Sequence, residues 1–125
     1  MSETQLVAVH PVLPAREVAA LAAFYVDRLG FELVFQDAEE DPRYAGITRD
    51  GVELHLQWHD ASEWADGVDR PSLRFLVADP DALFAEFAAA GVIPEGKAVV
   101  DTPWGTREFA FYDPDRNALS FYRDL

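Results

Sequence analysis

The stretch Glu17-Val-Ala-Ala-Leu-Ala-Ala-Phe-Tyr-Val-Asp-Arg-Leu-Gly-Phe31 is one of two helix–glycine units whose spacing decides the fold. Its apolar residues recur at three- and four-residue steps, which predicts a helix packed on one face. Gly30 stands where a helix ends in a left-handed residue. A second helix is predicted to begin at Asp79-Pro80, an N-cap followed by proline, and to end at Gly91, 61 positions after Gly30.

Short β-prone runs surround both helices in the same order. Asp50-Gly51 predicts a tight hairpin between two of them, because both central positions of such a turn need positive φ. Pro11 and Pro14 are expected to end the first strand. The predicted strands are Leu6–His10, Phe31–Phe35, Tyr44–Thr48, Val52–Trp58, Ser72–Val77, Lys97–Val100, Arg107–Tyr112 and Ala118–Arg123.

This order predicts one α+β domain over residues 1–125, made of two βαβββ repeats. The first repeat covers about 6–58 and the second about 71–123, with a polar linker at 59–70. A repeat of this kind constrains the fold more than any single motif. Each sheet has one face covered by its helix, so curved mixed sheets are expected to enclose a cleft with their other faces.

The chain is strongly acidic, with 23 acidic against 10 basic residues and a formal net charge of −13. Nucleic acid is therefore not an expected partner, because phosphate binding needs a basic surface. Cationic ligands are favoured by such a field. The sequence has no cysteine, no apolar run long enough to span a membrane and no secretory signal, so we expect a cytoplasmic protein without a membrane partner.

Three stretches carry a family resemblance: Leu21–Phe31, Trp104-Gly-Thr-Arg-Glu-Phe109 and Asp113-Pro-Asp-Arg-Asn117. Together they resemble the glyoxalase/bleomycin resistance/extradiol dioxygenase (vicinal oxygen chelate) superfamily, and most of all its bleomycin-resistance branch. The resemblance covers residues 6–123. It implies a homodimer with sites shared between subunits, and non-catalytic binding and sequestration of a small molecule, a bleomycin-type antibiotic or a similar metabolite. A divergent sensing or protein-interaction module is a further alternative.

The resemblance also bears on metal binding, because catalytic members hold a divalent metal with residues from both repeats. The matching positions are His10 and Glu53 in the first repeat and Ser72 and Ser120 in the second. Serine is a poor metal ligand, so the expectation is no cofactor and no catalytic residue. The alternative is a metal-dependent lyase, isomerase or dioxygenase that uses His10 and Glu53. Alternation on a strand places Glu53, His55 and Gln57 on one face, where His10 is able to join them.

The remaining candidates concern the ligand itself. By resemblance, Trp104 lines the groove where it opens a strand, and Tyr44 stacks on planar rings of the drug. Arg74 departs from the pattern, since its positive charge opposes a cationic drug, and the acidic run 37–41 is either a ligand clamp or a solvated loop. Trp58 and Trp64 flank the linker and are candidates to close over the cleft. The predicted ligand-binding residues are Tyr44, Trp104, Phe35, Trp58, His55, Gln57 and Arg74.

Overall fold

In the computed structural model, the strands of the first half form a four-stranded mixed sheet, called sheet A here. The structure describes residues 4–64 and 70–125. Its order is β1-β4-β3-β2, with β1 parallel to β4 and the other neighbours antiparallel. Helix α1 lies against it. The elements are β1 Val12–Ala15, α1 Val18–Leu29, β2 Glu32–Gln36, β3 Tyr44–Arg49 and β4 Val52–Trp58.

The second half repeats this arrangement as sheet B, in the order β5-β8-β7-β6. Strand β5 again runs parallel to the last strand, β8. The predicted two-fold βαβββ order is therefore confirmed. The elements are β5 Ser72–Leu76, α2 Pro80–Ala89, β6 Val100–Asp101, β7 Thr106–Tyr112 and β8 Ala118–Asp124, and a short 3₁₀ helix at Ala61–Trp64 precedes them in the predicted linker.

The predicted turn and cap residues have the expected local geometry. Gly30 ends α1 in a left-handed conformation with φ of 76°, and Asp50 and Gly51 both have positive φ in the hairpin between β3 and β4. The Asp79 carboxylate accepts a hydrogen bond from the Ala82 amide, which satisfies one of the free N–H groups at the start of α2.

The first strand is not where the sequence pattern predicted it. Residues 6–10 have no regular structure and are exposed, whereas the strand is Val12–Ala15 and includes Pro14. The reason is that β1 is an edge strand. The carbonyl of Pro11, just before β1, accepts a hydrogen bond from the His55 amide, and the carbonyl of Ala15 accepts one from the His59 amide. Alternate residues make such bonds, so Pro14 faces the unpaired side, where the lack of an N–H costs nothing.

Two further predictions differ in the second half. The strand expected at Lys97–Val100 is only the two residues Val100–Asp101. Trp104 does not open a strand but lies in the turn that leads from β6 into β7, which begins at Thr106. Gly105 in this turn has φ of 92°, a conformation that suits glycine and ends the regular pairing there.

Buried side chains from both halves belong to one hydrophobic cluster, and a polar network also joins the halves. The Tyr25 hydroxyl of α1 donates to Asp113 Oδ2 at 2.8 Å, and the Asn117 amide nitrogen donates to the same oxygen at 2.8 Å. Burial is the main reason that the pKa of Tyr25 is raised well above its usual value. No helix in residues 4–64 and 70–125 is long and apolar enough to cross a membrane.

Candidate ligand-binding site

Aromatic side chains and a histidine line the face of sheet A that points away from α1. Phe35 pairs with Gly46, and Gly46 in turn with His55, so the three residues form one row across β2, β3 and β4. Because Gly46 has no side chain, the Phe35 ring lies over it and meets His55 edge to face at 5.2 Å between centroids. Tyr44 stacks on Phe35 at 6.1 Å. The row forms a flat, partly exposed surface suited to a planar ligand group.

Three potential metal ligands converge at the edge of this surface, where His10, just before β1, reaches strand β4. His55 Nε2 lies 2.7 Å from Glu53 Oε2, and His10 Nε2 lies 3.7 Å from the same oxygen. One ligand atom from each of the three residues falls within 4.8 Å of the others. The two imidazole rings are stacked with centroids 4.8 Å apart. The sequence prediction that these three residues could meet agrees with this geometry.

The Tyr44 hydroxyl completes this group from the neighbouring strand. It lies 2.8 Å from His55 Nδ1, so both ring nitrogens of His55 have a polar partner. Gln57 lies on the same face of β4 and pairs in register with Tyr44, and its side chain is exposed. Tyr44, Phe35, His55 and Gln57 are therefore brought together on sheet A, and the predicted common face of His55 and Gln57 is part of this group.

The corresponding face of sheet B carries an ion pair beside the ring of Tyr122. Arg74 on β5 donates to Glu108 Oε2 at 2.9 Å and to Ser120 Oγ at 3.3 Å, and its guanidinium lies over the Tyr122 ring. The hydrogen bond from Arg74 is the main reason that the pKa of Glu108 is lowered. Hydrogen bonds from the Thr106 hydroxyl and the Trp104 indole lower it further. The positive charge of Arg74 is thus already balanced by a carboxylate.

Trp104 is presented at the tip of the turn between β6 and β7, where 68% of its surface is exposed. The turn is closed below it by Thr102, whose amide donates to the Thr106 carbonyl at 2.7 Å and whose hydroxyl lies 2.8 Å from that of Thr106. Trp104 is therefore not a core residue: its indole N–H bonds to Glu108, and most of its ring is exposed.

Trp58 and Trp64 do not join the open face of sheet A. Trp58 lies an odd number of residues from His55 on β4, so it points to the opposite face, where the Arg43 guanidinium covers its ring at 4.0 Å. Trp64 is held between the guanidinium groups of Arg16 and Arg70, each 4.3 Å from its ring centroid. The five residues after Trp64, which belong to the predicted linker, lie outside the described part of the chain.

The acidic run 37–41 is an exposed loop that leads from β2 to β3. Asp37 Oδ1 accepts hydrogen bonds from the amides of Arg43 and Tyr44, and Asp41 pairs with the Arg43 side chain at 3.2 Å. Asp37 therefore fixes the start of β3 and the position of Tyr44. This geometry matches the solvated-loop alternative.

The pairing of the parallel strands shows whether residues from both halves could bind one metal ion together. Val12 pairs with His55 in sheet A, and Arg74 pairs with Ser120 in sheet B. With His10 matched to Ser72, as in the sequence assignment, these registers make His55 and not Glu53 the counterpart of Ser120, a difference of two residues. Since Ser120 is hydrogen-bonded by the Arg74 guanidinium, a cation does not fit at that end. A metal ligand set shared between the halves is therefore not supported.

Two residues that shape the candidate site were missed in the sequence, Glu108 and Gly46. Glu108 lies in the stretch Trp104–Phe109 quoted above, and alternation with the buried Phe109 could have placed it on the open face beside Arg74. A glycine inside a strand indicates close approach by another group, and at Gly46 that group is Phe35.

Comparison with known proteins yields matches over nearly the whole chain. The model of the Glyoxalase/Bleomycin resistance protein/Dioxygenase superfamily matches residues 8–121. The bleomycin resistance protein of Geobacillus stearothermophilus is 28% identical over 130 aligned positions, which cover 92% of this chain and 95% of that protein.

Solved structures give the same result at the level of the fold. The bleomycin-binding protein of the bleomycin producer Streptomyces verticillus, solved with copper(II)-bleomycin, is 35% identical, with a TM-score of 0.74 over 98% of this chain and 99% of that one. A bleomycin-binding protein solved with bleomycin is 25% identical, with a TM-score of 0.77 over 96% of this chain and 100% of that one.

Proposed function

The chain belongs to the glyoxalase/bleomycin resistance protein/dioxygenase superfamily, and we propose that it binds and sequesters a bleomycin-type antibiotic, or a similar metabolite, without chemically changing it. The observation that carries this proposal is the 35% identity, over almost the whole of both chains, to a protein solved with copper(II)-bleomycin. Sequestration requires a complementary surface and no reactive group, so the site needs only shape, flat apolar contacts and matching charge.

The open face of sheet A and the turn between β6 and β7 supply the flat contacts that this function requires. Phe35 and Tyr44 present stacked rings, and Trp104 offers an indole that is mostly exposed. Each aromatic contact with a planar ligand contributes about 0.5–1.5 kcal/mol beyond the burial of its area.

The charges in the site also suit a cationic ligand such as the tail of bleomycin. Arg74, which alone would repel a cation, is neutralised by Glu108 at 2.9 Å. The net charge of −13 attracts cations from a distance and raises their association rate. The objection that the sequence raised against a cationic drug at Arg74 is weakened by this ion pair.

We further propose that the functional unit is a homodimer in the cytoplasm whose two sites are each shared between subunits. The N-terminal segment supports this because Leu6, Val7 and Val9 are 93%, 87% and 88% exposed. Apolar residues that lie free on a single chain are typical of surfaces that another subunit covers. Leu76 and Trp104, also more than half exposed, add to the apolar surface.

The alternative is a metal-dependent enzyme of the same superfamily, and the convergence of His10, Glu53 and His55 is the observation in its favour. Against it, the residues of sheet B that would supply the remaining ligands are Ser72 and Ser120, the latter hydrogen-bonded to Arg74. A substrate of such an enzyme would be consumed during incubation, whereas a sequestered drug is recovered unchanged.

Titration of the protein with metal-free bleomycin, followed by tryptophan fluorescence and calorimetry, tests the proposal. We expect micromolar or tighter binding with one drug per site, and recovery of intact drug after denaturation of the protein. Trp104→Ala is expected to weaken binding at least about tenfold, since loss of about 1.4 kcal/mol of contact corresponds to a factor of ten. Trp58→Phe is the matched control, because Trp58 lies on the other face of β4 under Arg43.

No heat and no quenching at micromolar drug would exclude bleomycin as the ligand. Equal losses in Trp104→Ala and Trp58→Phe would mean that Trp104 is not part of the binding surface. Chemical modification of the drug would favour the enzyme.

A further inference from the structure

We propose that Glu108 is a positioning residue, which holds Trp104 in place for the ligand. The carboxylate of Glu108 acts through two hydroxyls, those of Thr106 and Thr102, and is itself fixed by Arg74. Arg74, Glu108, Thr106 and Thr102 are called the Glu108 relay here. Under the proposed function, on which this role rests, Trp104 is a contact of the bound molecule.

Trp104 occupies a position that its local sequence does not make rigid. It lies in the turn between β6 and β7, with 68% of its surface exposed. Gly105 follows it with φ of 92°, and glycine restricts a backbone less than any other residue. A side chain that moves freely on such a turn has to be ordered when the ligand binds, which lowers the affinity. A turn that is fixed beforehand avoids this loss.

A row of hydrogen bonds connects the turn to Glu108. The Thr106 hydroxyl donates to Glu108 Oε2 at 2.8 Å, and its oxygen lies 2.8 Å from the Thr102 hydroxyl. Thr102 Oγ1 also accepts from the Thr106 amide at 3.1 Å, which closes the turn. A carboxylate only accepts hydrogen bonds, and each hydroxyl has one proton to donate. Because Thr106 gives its proton to Glu108, Thr102 is the donor between the two hydroxyls, and Glu108 thus fixes the direction of the row.

Glu108 is held in turn from the far side of sheet B. The Arg74 guanidinium on β5 reaches across β8 and donates to the same Oε2 at 2.9 Å. Only 14% of the Glu108 side chain is exposed. Hydrogen bonds from Arg74 and Thr106 lower the pKa of Glu108, and the Trp104 indole contributes a further one, so the carboxylate is ionised at neutral pH. Hydrogen bonds to an ionised acceptor are stronger than those between neutral groups, which makes Glu108 a firm support for the turn.

The fluorescence of Trp104 tests the Glu108 relay without any drug. In a full-length protein that carries Trp58→Phe and Trp64→Phe, Trp104 is the remaining tryptophan of the three. Its anisotropy reports how freely the ring moves, and quenching by acrylamide reports how accessible it is. Glu108→Ala and Thr106→Val are both expected to lower the anisotropy and to increase the quenching. Glu108→Gln and Thr106→Ser, which keep the acceptor and the hydroxyl, are expected to restore the wild-type values.

Titration of the same variants with metal-free bleomycin measures the effect on binding. Thr106→Val is expected to weaken binding by about two- to tenfold, the factor that corresponds to ordering one side chain when the ligand binds. Glu108→Ala is expected to lose more, because the charge of Arg74 is then unbalanced and opposes a cationic drug. Thr106→Ser is expected to bind as the wild type does.

The matched control is Asp81→Ala. Asp81 accepts from Arg107 Nε at 2.8 Å, so it is an ion-paired carboxylate that contacts β7 on the face opposite to Glu108. Arg107 keeps its second partner, Asp101, at 2.9 Å. The substitution removes one carboxylate and one ion pair, as Glu108→Ala does. It is expected to leave both the anisotropy of Trp104 and the drug affinity unchanged.

Unchanged anisotropy and quenching of Trp104 in Glu108→Ala and Thr106→Val would overturn the proposal, and so would equal changes in Asp81→Ala. If Glu108→Ala does not fold, the comparison of Thr106→Val with Thr106→Ser decides. A freely moving Trp104 in Thr106→Val without any loss of drug affinity would also overturn the positioning role. Failure of the wild type to bind bleomycin would remove that drug alone, because the fluorescence still decides whether the Glu108 relay holds Trp104.

Discussion

Substitution of Gly46 by alanine tests whether the aromatic row on sheet A depends on a missing side chain. A Cβ atom at Gly46 would lie 2.2 Å from Phe35 Cε1, 2.7 Å from Cδ1 and 2.9 Å from Cζ, whereas ordinary contacts begin at 3.4 Å. The Phe35 ring must therefore move by about 1 Å or more, as the shortfall from ordinary contact requires. Because 40% of Phe35 is exposed, the ring can swing outward, away from Tyr44 and His55.

The expected magnitude follows from two opposing effects. Loss of two ring contacts costs about 1–3 kcal/mol, at about 0.5–1.5 kcal/mol each. Alanine in place of glycine inside a strand stabilises by about 0.5–1 kcal/mol, because the unfolded chain loses less freedom. The balance predicts that Gly46→Ala lowers the free energy of unfolding by about 1 kcal/mol, measured by urea denaturation.

A double-mutant cycle with Phe35→Ala separates these effects. Removal of the ring removes the three closest contacts of the new methyl group, so Gly46→Ala is expected to stabilise the Phe35→Ala protein by about 0.5–1 kcal/mol. The sign of the effect thus reverses between the two backgrounds. Stabilisation by Gly46→Ala in the wild-type background would refute the view that Phe35 is held over Gly46.

Three further substitutions test the framework around the site. Tyr25→Phe removes the hydroxyl that donates to buried Asp113 at 2.8 Å. We expect urea denaturation to show a loss of about 1.5–3 kcal/mol in the free energy of unfolding, as is typical of hydrogen bonds to charged groups. A loss below about 0.5 kcal/mol would contradict this role. Asp79→Ala removes the cap that Ala82 uses, with an expected loss of about 1 kcal/mol by the same measurement. Burial is the main reason that the pKa of Asp115 is raised, and the charge of Asp113 adds to it. The ionised carboxylate of Asp115 therefore disfavours the folded state at neutral pH. This loss of stability disappears as the pH falls through the folded-state pKa. Asp115→Asn is accordingly expected to raise the melting temperature at pH 7 but not below the ordinary aspartate pKa of about 3.9; the same gain at both pH values would exclude titration as its cause.

The repeat architecture was predictable because its determinants are local. The helix ending at Gly30, the hairpin at Asp50-Gly51 and the cap at Asp79 each depend on the conformational preference of one or two residues. The first strand was not predictable in the same way. Residues 6–10 have a β-prone pattern but no partner strand within the described chain, whereas the prolines hide a real edge strand at Val12–Ala15. Pairing between distant segments, not local pattern, decides such a case.

Only the part of the candidate site on sheet A could be predicted from the sequence. Alternation along β4 correctly placed Glu53, His55 and Gln57 on one face. The neutralisation of Arg74 by Glu108 could not be foreseen, because it depends on the alignment of β5, β8 and β7, strands far apart in sequence. For the same reason the counterpart of Ser120 was placed two residues from its position in the register.

The two open faces have diverged in a way that fixes the orientation of a ligand. Where sheet A has Tyr44 and His55, the register gives sheet B Glu108 and Ser120 at corresponding positions, with Arg74 bound between them. One face therefore offers aromatic rings and donors for a metal, and the other a carboxylate and a guanidinium that already satisfy each other. A symmetric ligand would bind equally well in both directions. A molecule with a planar or chelating end and a separate polar end would bind in one direction only, because reversal would leave its polar groups without partners on the aromatic face.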